Sequence, residues 1–324
     1  MPTEHEPLVS VVVIFLNAGS FLRDAMDSVL RQTYWHWELF LVDDGSTDGS
    51  SEVARGFAAR HADRVRCLEH EGHRNRGMSA SRNLGVRNAT GRFITFLDSD
   101  DVWLPERLAT HVALMAAHPE AAVISGPTRL WYGWTGKPED AAQDALRTVS
   151  EPMDALYRPP ELLRRFLTGR ALTPAMCSVL IRKEAFARLG VFEERFTGLY
   201  EDQAFFLKAY LKLPVYLTST CADWYRQHEG SHSAEALRTG RYFTDRPGPA
   251  LLDLFLWLAR YLVKQGAIDR IVWTALLGNL FRIGLHRTMT IVNRPAKRVL
   301  AWLYEVKMAR AAKTQGERRH DDRG

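Results

Sequence analysis

Four consecutive positions of this sequence carry three carboxylates, those of Asp98, Asp100 and Asp101. They follow Phe93–Leu97, a short apolar and β-branched run that is typical of a buried strand. Ligands of open α/β sheets bind beyond the carboxyl ends of the strands, where these acids would lie. Like charges this close repel each other unless a cation or hydrogen-bond donors offset them. One or two carboxylates plus a substrate's phosphates are also how proteins hold Mg²⁺ or Mn²⁺.

A simpler explanation is that these acids cap the helix expected near Pro105, because Asp is common in turns and at helix starts. A second acidic cluster favours a site instead. Glu38–Val42 has the pattern of another strand and ends at Asp43 and Asp44. Parallel strands would bring both clusters to one edge of a sheet. The sequence therefore predicts a metal that is held by Asp98 and Asp100 and grips a diphosphate, with Asp43 or Asp44 accepting a hydrogen bond from the nucleoside.

The elements that would position these acids alternate between strand and helix. We predict strands at 8–15, 38–42, 65–68, 93–97, 121–125, 175–181 and 214–218, with helices between them. This order predicts an α/β fold with a mostly parallel, doubly wound sheet and helices on both faces. Residues 131–160 are rich in Gly, Pro and charge and predict a loop-rich insertion. A helical C-terminal extension follows, with helices at 251–265, 268–285 and 296–312.

The composition fits a soluble globular protein, with 46% hydrophobic and 25% charged residues among 324. Three separated cysteines form neither a disulfide framework nor a zinc site, which favours a reducing cytosol. We expect no secretory signal, and no segment reaches the roughly 18 apolar residues of a spanning helix. The expected location is therefore the cytoplasm.

The charge is distributed unevenly along the chain. Residues 236–324 hold 17 basic and 7 acidic residues, whereas residues 1–235 hold 26 basic and 31 acidic residues. A basic helical region can lie on an anionic membrane surface, so a peripheral position on the inner face of the membrane is one expectation. The alternative is a helical bundle that packs on the rest of the protein with a solvated basic face. We expect no nucleic-acid partner.

Two common phosphate-binding motifs are absent from the sequence. It has neither a Gly-x-Gly-x-x-Gly after the first strand nor a Gly-x4-Gly-Lys-Ser/Thr loop. Arg82 and the segment Arg74-Asn-Arg-Gly77 could contact phosphates instead, because arginine suits bidentate contacts. Arg82 could also be an exposed helix residue.

Six segments in order resemble the inverting family-2 glycosyltransferases of the GT-A fold, and the resemblance covers about residues 8–235. The segments are Val9-Ser-Val-Val-Val with Asn17-Ala-Gly, Val42-Asp-Asp-Gly-Ser-Thr-Asp48, Asn75-Arg-Gly-Met-Ser-Ala-Ser-Arg-Asn-Leu-Gly85, Phe96-Leu-Asp-Ser-Asp-Asp101, Gly198-Leu-Tyr-Glu-Asp-Gln203 and Tyr225-Arg-Gln-His-Glu-Gly-Ser231. The resemblance implies a nucleotide-diphospho-sugar donor, UDP-linked in the first instance, a divalent Mn²⁺ or Mg²⁺ ion, and inversion at the anomeric carbon in one displacement. It also implies a saccharide or lipid-linked acceptor and a role in surface-glycan synthesis.

The resemblance also implies roles for particular residues. Asp202 would be the general base, and His228 would lie with Asp98 and Asp100 at the metal. The donor would be bound by the residues that precede the catalytic segment, namely Asp43, Asp44, Arg82, Asp98, Ser99 and Asp100. We divide the chain into a glycosyltransferase domain over residues 1–235, with a nucleotide-sugar half to about 124 and an acceptor half after it, and a basic helical region over 236–324.

Several alternatives remain open at this point. Glu201 and Asp202 could serve only the dipole of a helix, and His228 could be a loop histidine bonded to backbone. The aromatic residues at 131, 132 and 134 could stack on sugar or anchor a loop. The family often has Pro and Tyr where this sequence has Ile14 and Leu16, which leaves the nucleobase open. Rival functions are a nucleotidyltransferase, although 15–20 lacks its Gly-rich basic loop, and a non-catalytic nucleotide-sugar-binding module.

Overall fold

Two sheets and a set of surrounding helices make up the protein in the computed structural model, which describes residues 6–241 and 248–284. The strands are β1 (Val9–Phe15), β2 (Trp37–Asp43), β3 (Val65–Glu69), β4 (Phe93–Asp98), β5 (Val102–Trp103), β6 (Val123–Ser125), β7 (Thr128–Trp131), β8 (Ala145–Arg147), β9 (Ala155–Tyr157), β10 (Val179–Arg182), β11 (Val215–Leu217) and β12 (Asp223–Arg226). The helices are α1 (Phe21–Leu30), α2 (Ser50–Arg60), α3 (Met78–Asn88), α4 (Arg107–Ala117), α5 (Pro138–Ala141), α6 (Glu161–Leu167), α7 (Ala185–Leu189), α8 (Glu201–Lys212), α9 (His232–Arg238) and α10 (Pro249–Lys264).

The larger sheet brings the two acidic clusters to the same edge. Its strand order is β3-β2-β1-β4-β10-β6-β11-β9, and β1 pairs in parallel with both β2 and β4. Phe15 pairs with Asp43, and Ile14 pairs with Asp98, so both acids lie at the carboxyl ends of their strands. Because β1 separates β2 from β4, the two clusters are not on neighbouring strands but stand about 10 Å apart, two strand spacings.

The larger sheet is buried on both faces, as the near-continuous apolar run of β1 predicts. Val12 and Ile14 belong to one core cluster, whereas Val11 and Val13 belong to the other. One helix approaches β1 unusually closely: a Cβ at Gly85 of α3 would stand 2.4 Å from a methyl carbon of Val12. Only glycine therefore allows this packing. The predicted α/β class with helices on both faces is confirmed.

Two details of the predicted elements are wrong. β10 runs antiparallel between β4 and β6, and the segment at 175–181 begins with a 3₁₀ turn, Met176–Ser178, before that strand. The loop-rich insertion at 131–160 also contains two short strands, β8 and β9. β8 belongs to a second sheet with the order β5-β12-β7-β8, and β9 pairs with β11 at the edge of the larger sheet. Strands of two to four residues are too short to show a periodicity in the sequence.

The helical C-terminal extension packs on the larger sheet's helices within the part of it that the structure describes. α10 and a further helix at 270–284 bury Leu254, Leu258 and Leu276 in the same core cluster as Phe205 of α8. The helix predicted at 296–312 lies outside the described residues. Of the helices in residues 6–241 and 248–284, none is both long and apolar enough to cross a membrane.

Candidate functional site

The first acidic cluster is almost completely buried and is bonded to its own loops. Asp43 accepts hydrogen bonds from the backbone N–H groups of Gly45 (3.1 Å) and Ser46 (2.8 Å) and from the Ser51 hydroxyl. Gly45 has φ +89°, and a Cβ there would stand 2.8 Å from the backbone nitrogen of Asn75, so a glycine is required at the turn. The Asp43 carboxylate thus organises the loop that follows β2.

Asp44 joins this loop to the start of α3. Its Oδ1 accepts from the backbone nitrogen of Arg76 at 2.7 Å, and its Oδ2 accepts from that of Gly77 at 3.0 Å. The ring of His70 lies 3.6 Å from Oδ1. The carboxylate therefore fixes the backbone of Arg76 and Gly77, in the segment that the sequence suggested for phosphate contacts. Its predicted contact with a nucleoside stays a prediction.

The second acidic cluster is more open and is paired with side chains. Asp98, Ser99 and Asp100 are all partly exposed at the end of β4. Asp98 Oδ1 accepts a 2.9 Å hydrogen bond from Arg82 Nη2, and His228 Nε2 lies 3.1 Å from Asp100 Oδ2. The structure thus brings together all three residues that the sequence assigned to a metal, since Asp98 and Asp100 share one turn and His228 contacts the second of them.

Arg82 lies beneath this loop and is not an exposed helix residue. Its side chain is 2% exposed, and Nη1 stands 3.6 Å from Glu201 Oε1. Nε and Nη1 are buried without a hydrogen-bond partner in the protein. Nearby Asp98 and Glu201 raise the pKa of the guanidinium against the opposing effect of burial. One cation therefore connects the acidic loop to the amino end of α8.

The amino end of α8 carries two acids in different surroundings. Burial and the neighbouring Asp202 raise the pKa of Glu201 to about 7, while Arg82 acts in the opposite direction. Burial also raises the pKa of Asp202, which remains partly accessible and whose Oδ1 accepts from the backbone nitrogen of Gln203 at 2.6 Å. Tyr200, just before the helix, has φ +65°, and the two acids occupy consecutive helical positions, whose side chains point in different directions. A carboxylate whose pKa is raised holds a proton more readily than an ordinary one, which suits a general base.

Two residues at this edge were missed as site candidates. Asp101 is buried, and burial with the charges of Asp100 and Asp98 raises its pKa well above the ordinary value. Its Oδ1 accepts from the backbone nitrogen of Arg226 at 3.0 Å. The only sequence signal for Arg226 was its place in the Tyr225-Arg-Gln-His segment, two residues before His228.

Aromatic rings surround His228 on the side away from Asp100. The Phe21 ring centroid lies 4.8 Å from that of His228, and Trp134 lies edge-on to Phe21 at 5.4 Å. Trp134 Nε1 donates a 2.8 Å hydrogen bond to the backbone oxygen of Gln227. Trp134 is therefore bonded to the segment that carries His228, as the loop-anchor alternative expects.

The residues at the end of β4 suit a hard divalent cation. No group of three His, Cys, Asp or Glu side chains within the described part of the chain is arranged to enclose a metal ion by itself. Mg²⁺ and Mn²⁺ in phosphate-binding sites need only one or two carboxylates, because the substrate's phosphates supply further oxygens. The carboxylates of Asp98 and Asp100 match that preference, and the imidazole of His228, 3.1 Å from Asp100, would be an additional nitrogen ligand.

Comparisons with known proteins place the chain in a family. The sequence profile described as Glycosyl transferase family 2 matches residues 10–190. A curated Escherichia coli relative, UDP-Glc:alpha-D-GlcNAc-diphosphoundecaprenol beta-1,3-glucosyltransferase WfgD, is 36% identical over 108 residues, which are 33% of this chain and 41% of that protein. The chain spans about half of the length of the curated relatives it matches, 41% to 56% in three cases.

Solved structures share the fold. The structure of S. aureus TarS 1-349 in complex with UDP-GlcNAc matches with a TM-score of 0.61 and 19% identity, over 84% of this chain and 71% of that one. The mannosyltransferase PcManGT from Pyrobaculum calidifontis, in complex with GDP-Man and Mn²⁺, matches with a TM-score of 0.58 and 18% identity, over 92% of this chain and 79% of that one. At such identities the matches support the fold, and they confirm the GT-A expectation.

Proposed function

Because the chain belongs to glycosyl transferase family 2, we propose that it moves a sugar from a nucleotide-diphospho-sugar to an acceptor hydroxyl with inversion. The observation that carries the proposal is the convergence of three elements. The acidic loop after β4, the segment with His228 and the amino end of α8 meet around the buried guanidinium of Arg82 and the carboxylate of Asp100. A donor diphosphate and an acceptor hydroxyl would be held by different members of this group.

The donor end of the site comprises Asp98, Ser99 and Asp100. Asp98, Asp100 and His228 would hold Mn²⁺ or Mg²⁺, and the bound metal would offset the charge that develops on the leaving diphosphate. Asp43 and Asp44, about 10 Å away across β1, would shape the loops that face the nucleoside, since both are buried and bonded to the backbone of those loops. Arg82 is too buried to bind phosphate from the surface. It would set the position of Asp98 and add positive charge beneath the diphosphate.

The acceptor end of the site is Asp202. A single inverting displacement needs a base that takes the proton from the acceptor oxygen as that oxygen attacks the anomeric carbon. A carboxylate within hydrogen-bonding reach contributes about 10²–10⁴-fold to such a step. The raised pKa of Asp202 brings it closer to the pH at which the reaction would run. Glu201 faces Arg82 and would hold α8 in place.

The sugar and the acceptor are proposed by class. WfgD is named for a UDP-linked donor and a diphosphoundecaprenol acceptor, and the TarS and PcManGT structures hold UDP-GlcNAc and GDP-Man with Mn²⁺. We propose a UDP-linked donor, a saccharide or lipid-linked acceptor, and a role in surface-glycan synthesis. The expected place of action is the cytoplasmic side of the membrane.

A panel of UDP- and GDP-sugars with Mn²⁺, Mg²⁺ or EDTA tests this function. Thermal stabilisation reports binding, and release of the nucleoside diphosphate reports transfer or slow hydrolysis. The proposal expects one nucleotide sugar to stabilise the protein and to be turned over only with metal. Stabilisation without turnover in the presence of acceptor extracts would indicate the non-catalytic module. Release of pyrophosphate from a nucleoside triphosphate would indicate a nucleotidyltransferase.

The outer face of the helix at 270–284 supports the proposed membrane contact. Leu277 and Phe281, four residues apart on one face of this helix, are 57% and 67% exposed, and Arg270 and Arg282 are exposed on the same helix. Exposed apolar side chains together with basic residues suit an anionic membrane surface.

Sedimentation with anionic liposomes tests the contact in the full chain. Removing residues 236–324 would uncover the core that α10 covers, so Leu277→Glu with Phe281→Glu is the better variant. We expect this variant to lose sedimentation. Leu146→Glu, at a 60% exposed apolar position of β8, is the matched control and should sediment like the wild type. Equal sedimentation of all three proteins would discard the membrane role.

A further inference from the structure

The side chain of Arg226 lies behind the acidic loop and bonds to it. Nε donates a 2.8 Å hydrogen bond to the backbone oxygen of Asp100, and Nη2 donates one of 2.8 Å to Asp24 of α1. The backbone nitrogen of the same residue donates to Asp101 Oδ1 at 3.0 Å. One residue of β12 thus holds two consecutive positions of the loop that follows β4.

Three aromatic rings enclose the guanidinium. Its carbon lies 4.5 Å from the ring centroid of Phe21, 4.8 Å from that of Trp131 and 5.3 Å from that of Trp134. The side chain is 4% exposed, so it is not free to bind a ligand from solvent. A planar guanidinium can stack on rings and donate hydrogen bonds at its edge simultaneously, whereas the ammonium of lysine cannot reproduce both.

Hydrogen bonds from Arg226 tie the loop to elements that are distant in the chain. Its guanidinium joins the backbone oxygen of Asp100 to the Asp24 carboxylate of α1, and its backbone nitrogen holds Asp101. These bonds restrict where the loop that follows β4 can lie. His228 follows two residues later and contacts Asp100 at 3.1 Å, so the same strand end also places the imidazole.

We propose that Arg226 is a positioning residue that preorganises the 98–101 loop and His228 to receive a metal-bound diphosphate. The proposal rests on the proposed function, because it assigns a cause for the geometry of that same site. Arg226 itself touches neither metal nor donor. Its effect is on how tightly the metal is held, and groups that orient metal ligands in this way typically contribute about 10–100-fold to metal affinity.

Calorimetric titration of Mn²⁺ into the full chain with saturating UDP, or GDP where the wild type prefers it, tests this role. Arg226→Lys keeps the positive charge but loses the planar guanidinium that donates from both Nε and Nη2. Arg226→Met keeps only the bulk of the side chain. We expect the Mn²⁺ dissociation constant to rise about 10–100-fold in both variants. Excess Mn²⁺ should restore nucleotide binding, because a positioning defect weakens the site without removing its ligands. A defect of folding alone would lower the melting temperature and leave the dissociation constant of the folded protein unchanged.

Arg129→Lys is the matched control, because Arg129 lies on β7 of the same small sheet, 5.7 Å over the ring of Trp224, and does not contact the loop. We expect its Mn²⁺ affinity to equal that of the wild type. Wild-type affinity in Arg226→Lys and Arg226→Met overturns the inference, and so does failure of both variants to fold, which would assign Arg226 to the fold. A wild type that binds nucleotide without any need for Mn²⁺ overturns the proposed metal site itself, and the inference with it.

Discussion

The acidic ends of β2 and β4 share one edge of the sheet but differ in how far their hydrogen-bonding capacity is used. Asp43 and Asp44 are 1% and 5% exposed and accept mainly from backbone N–H groups of neighbouring loops. Asp98 and Asp100 are partly exposed and contact side chains, those of Arg82 and His228. The same residue type at equivalent strand ends is thus built into two different environments.

Carboxylates bonded to side chains can change partners more readily than carboxylates bonded to the backbone. Backbone donors are fixed by the fold, so a ligand that displaced them from Asp43 would leave buried N–H groups unsatisfied, at a cost of about 1–3 kcal/mol each. Arg82 contacts Oδ1 of Asp98 and His228 contacts Oδ2 of Asp100, so the second oxygen of each carboxylate can bind a metal. We therefore assign the β2 end to building the nucleoside-facing loops and the β4 end to holding the metal and diphosphate. The two acids at the start of α8, Glu201 and Asp202, form a third environment, in which burial raises the pKa of both carboxyl groups.

Apart from changes at Asp98 and Asp100, Asp202→Asn should reduce turnover the most. Its amide cannot accept the proton of the acceptor hydroxyl, so turnover should fall about 10²–10⁴-fold while nucleotide binding stays at the wild-type level. Initial rates and thermal stabilisation by the donor nucleotide measure the two quantities. Glu201→Gln is the comparison variant. Should Glu201→Gln lose turnover and Asp202→Asn keep it, the assignment of the base would be reversed.

Asp43→Ala should reduce stability more than the corresponding change at the β4 end. The substitution leaves the N–H groups of Gly45 and Ser46 without their acceptor, which we expect to lower the free energy of unfolding by about 2–6 kcal/mol, about 1–3 kcal/mol for each group. Asp100→Ala, at a partly exposed position, should change it by less than about 1 kcal/mol. Urea denaturation of the two metal-free variants measures both. Equal losses would remove the distinction between the two strand ends.

Glu201→Gln should change the pH dependence of stability, the smallest of these effects. The pKa of Glu201 is about 7 in the folded protein, against an ordinary value of 4.5. Between these values the folded state holds a proton that the unfolded state has released, so this group's contribution to stability declines as the pH rises from about 4.5 to about 7. Glutamine cannot ionise. The variant should therefore gain melting temperature relative to the wild type across that window, in metal-free buffer, and parallel curves would contradict the raised pKa.

The sequence predicted that the acidic ends of β2 and β4 share one edge of the sheet, because each strand and the acids that follow it form a local pattern. Apolar runs before Asp43 and Asp98 marked two buried strands, and parallel pairing implied the shared edge. Periodicity alone could not show that β1 lies between β2 and β4, since strand order depends on contacts between distant segments. The burial of Arg82 was equally hidden, because a helical position does not show which face meets the core.

The second sheet shows where local patterns stop being informative. β5 has two residues and pairs with β12, more than 100 positions later in the chain. Such strands form because the larger sheet and its loops hold them together, so residues 131–160 gave only the composition of a loop. Arg226 was missed for the same reason. Its partners come from α1, the β4 loop and β7, and no spacing within its own segment indicates them.

Turnover by Asp98→Ala and Asp100→Ala, compared with the wild type at saturating Mn²⁺ and donor, tests the central assignment most directly. If Asp98 and Asp100 hold the metal, each variant should lose at least about 10³-fold in turnover, because several kcal/mol of stabilisation of the leaving diphosphate depend on the metal. Both variants should remain folded. Wild-type turnover in both would contradict a metal-bound diphosphate at the end of β4.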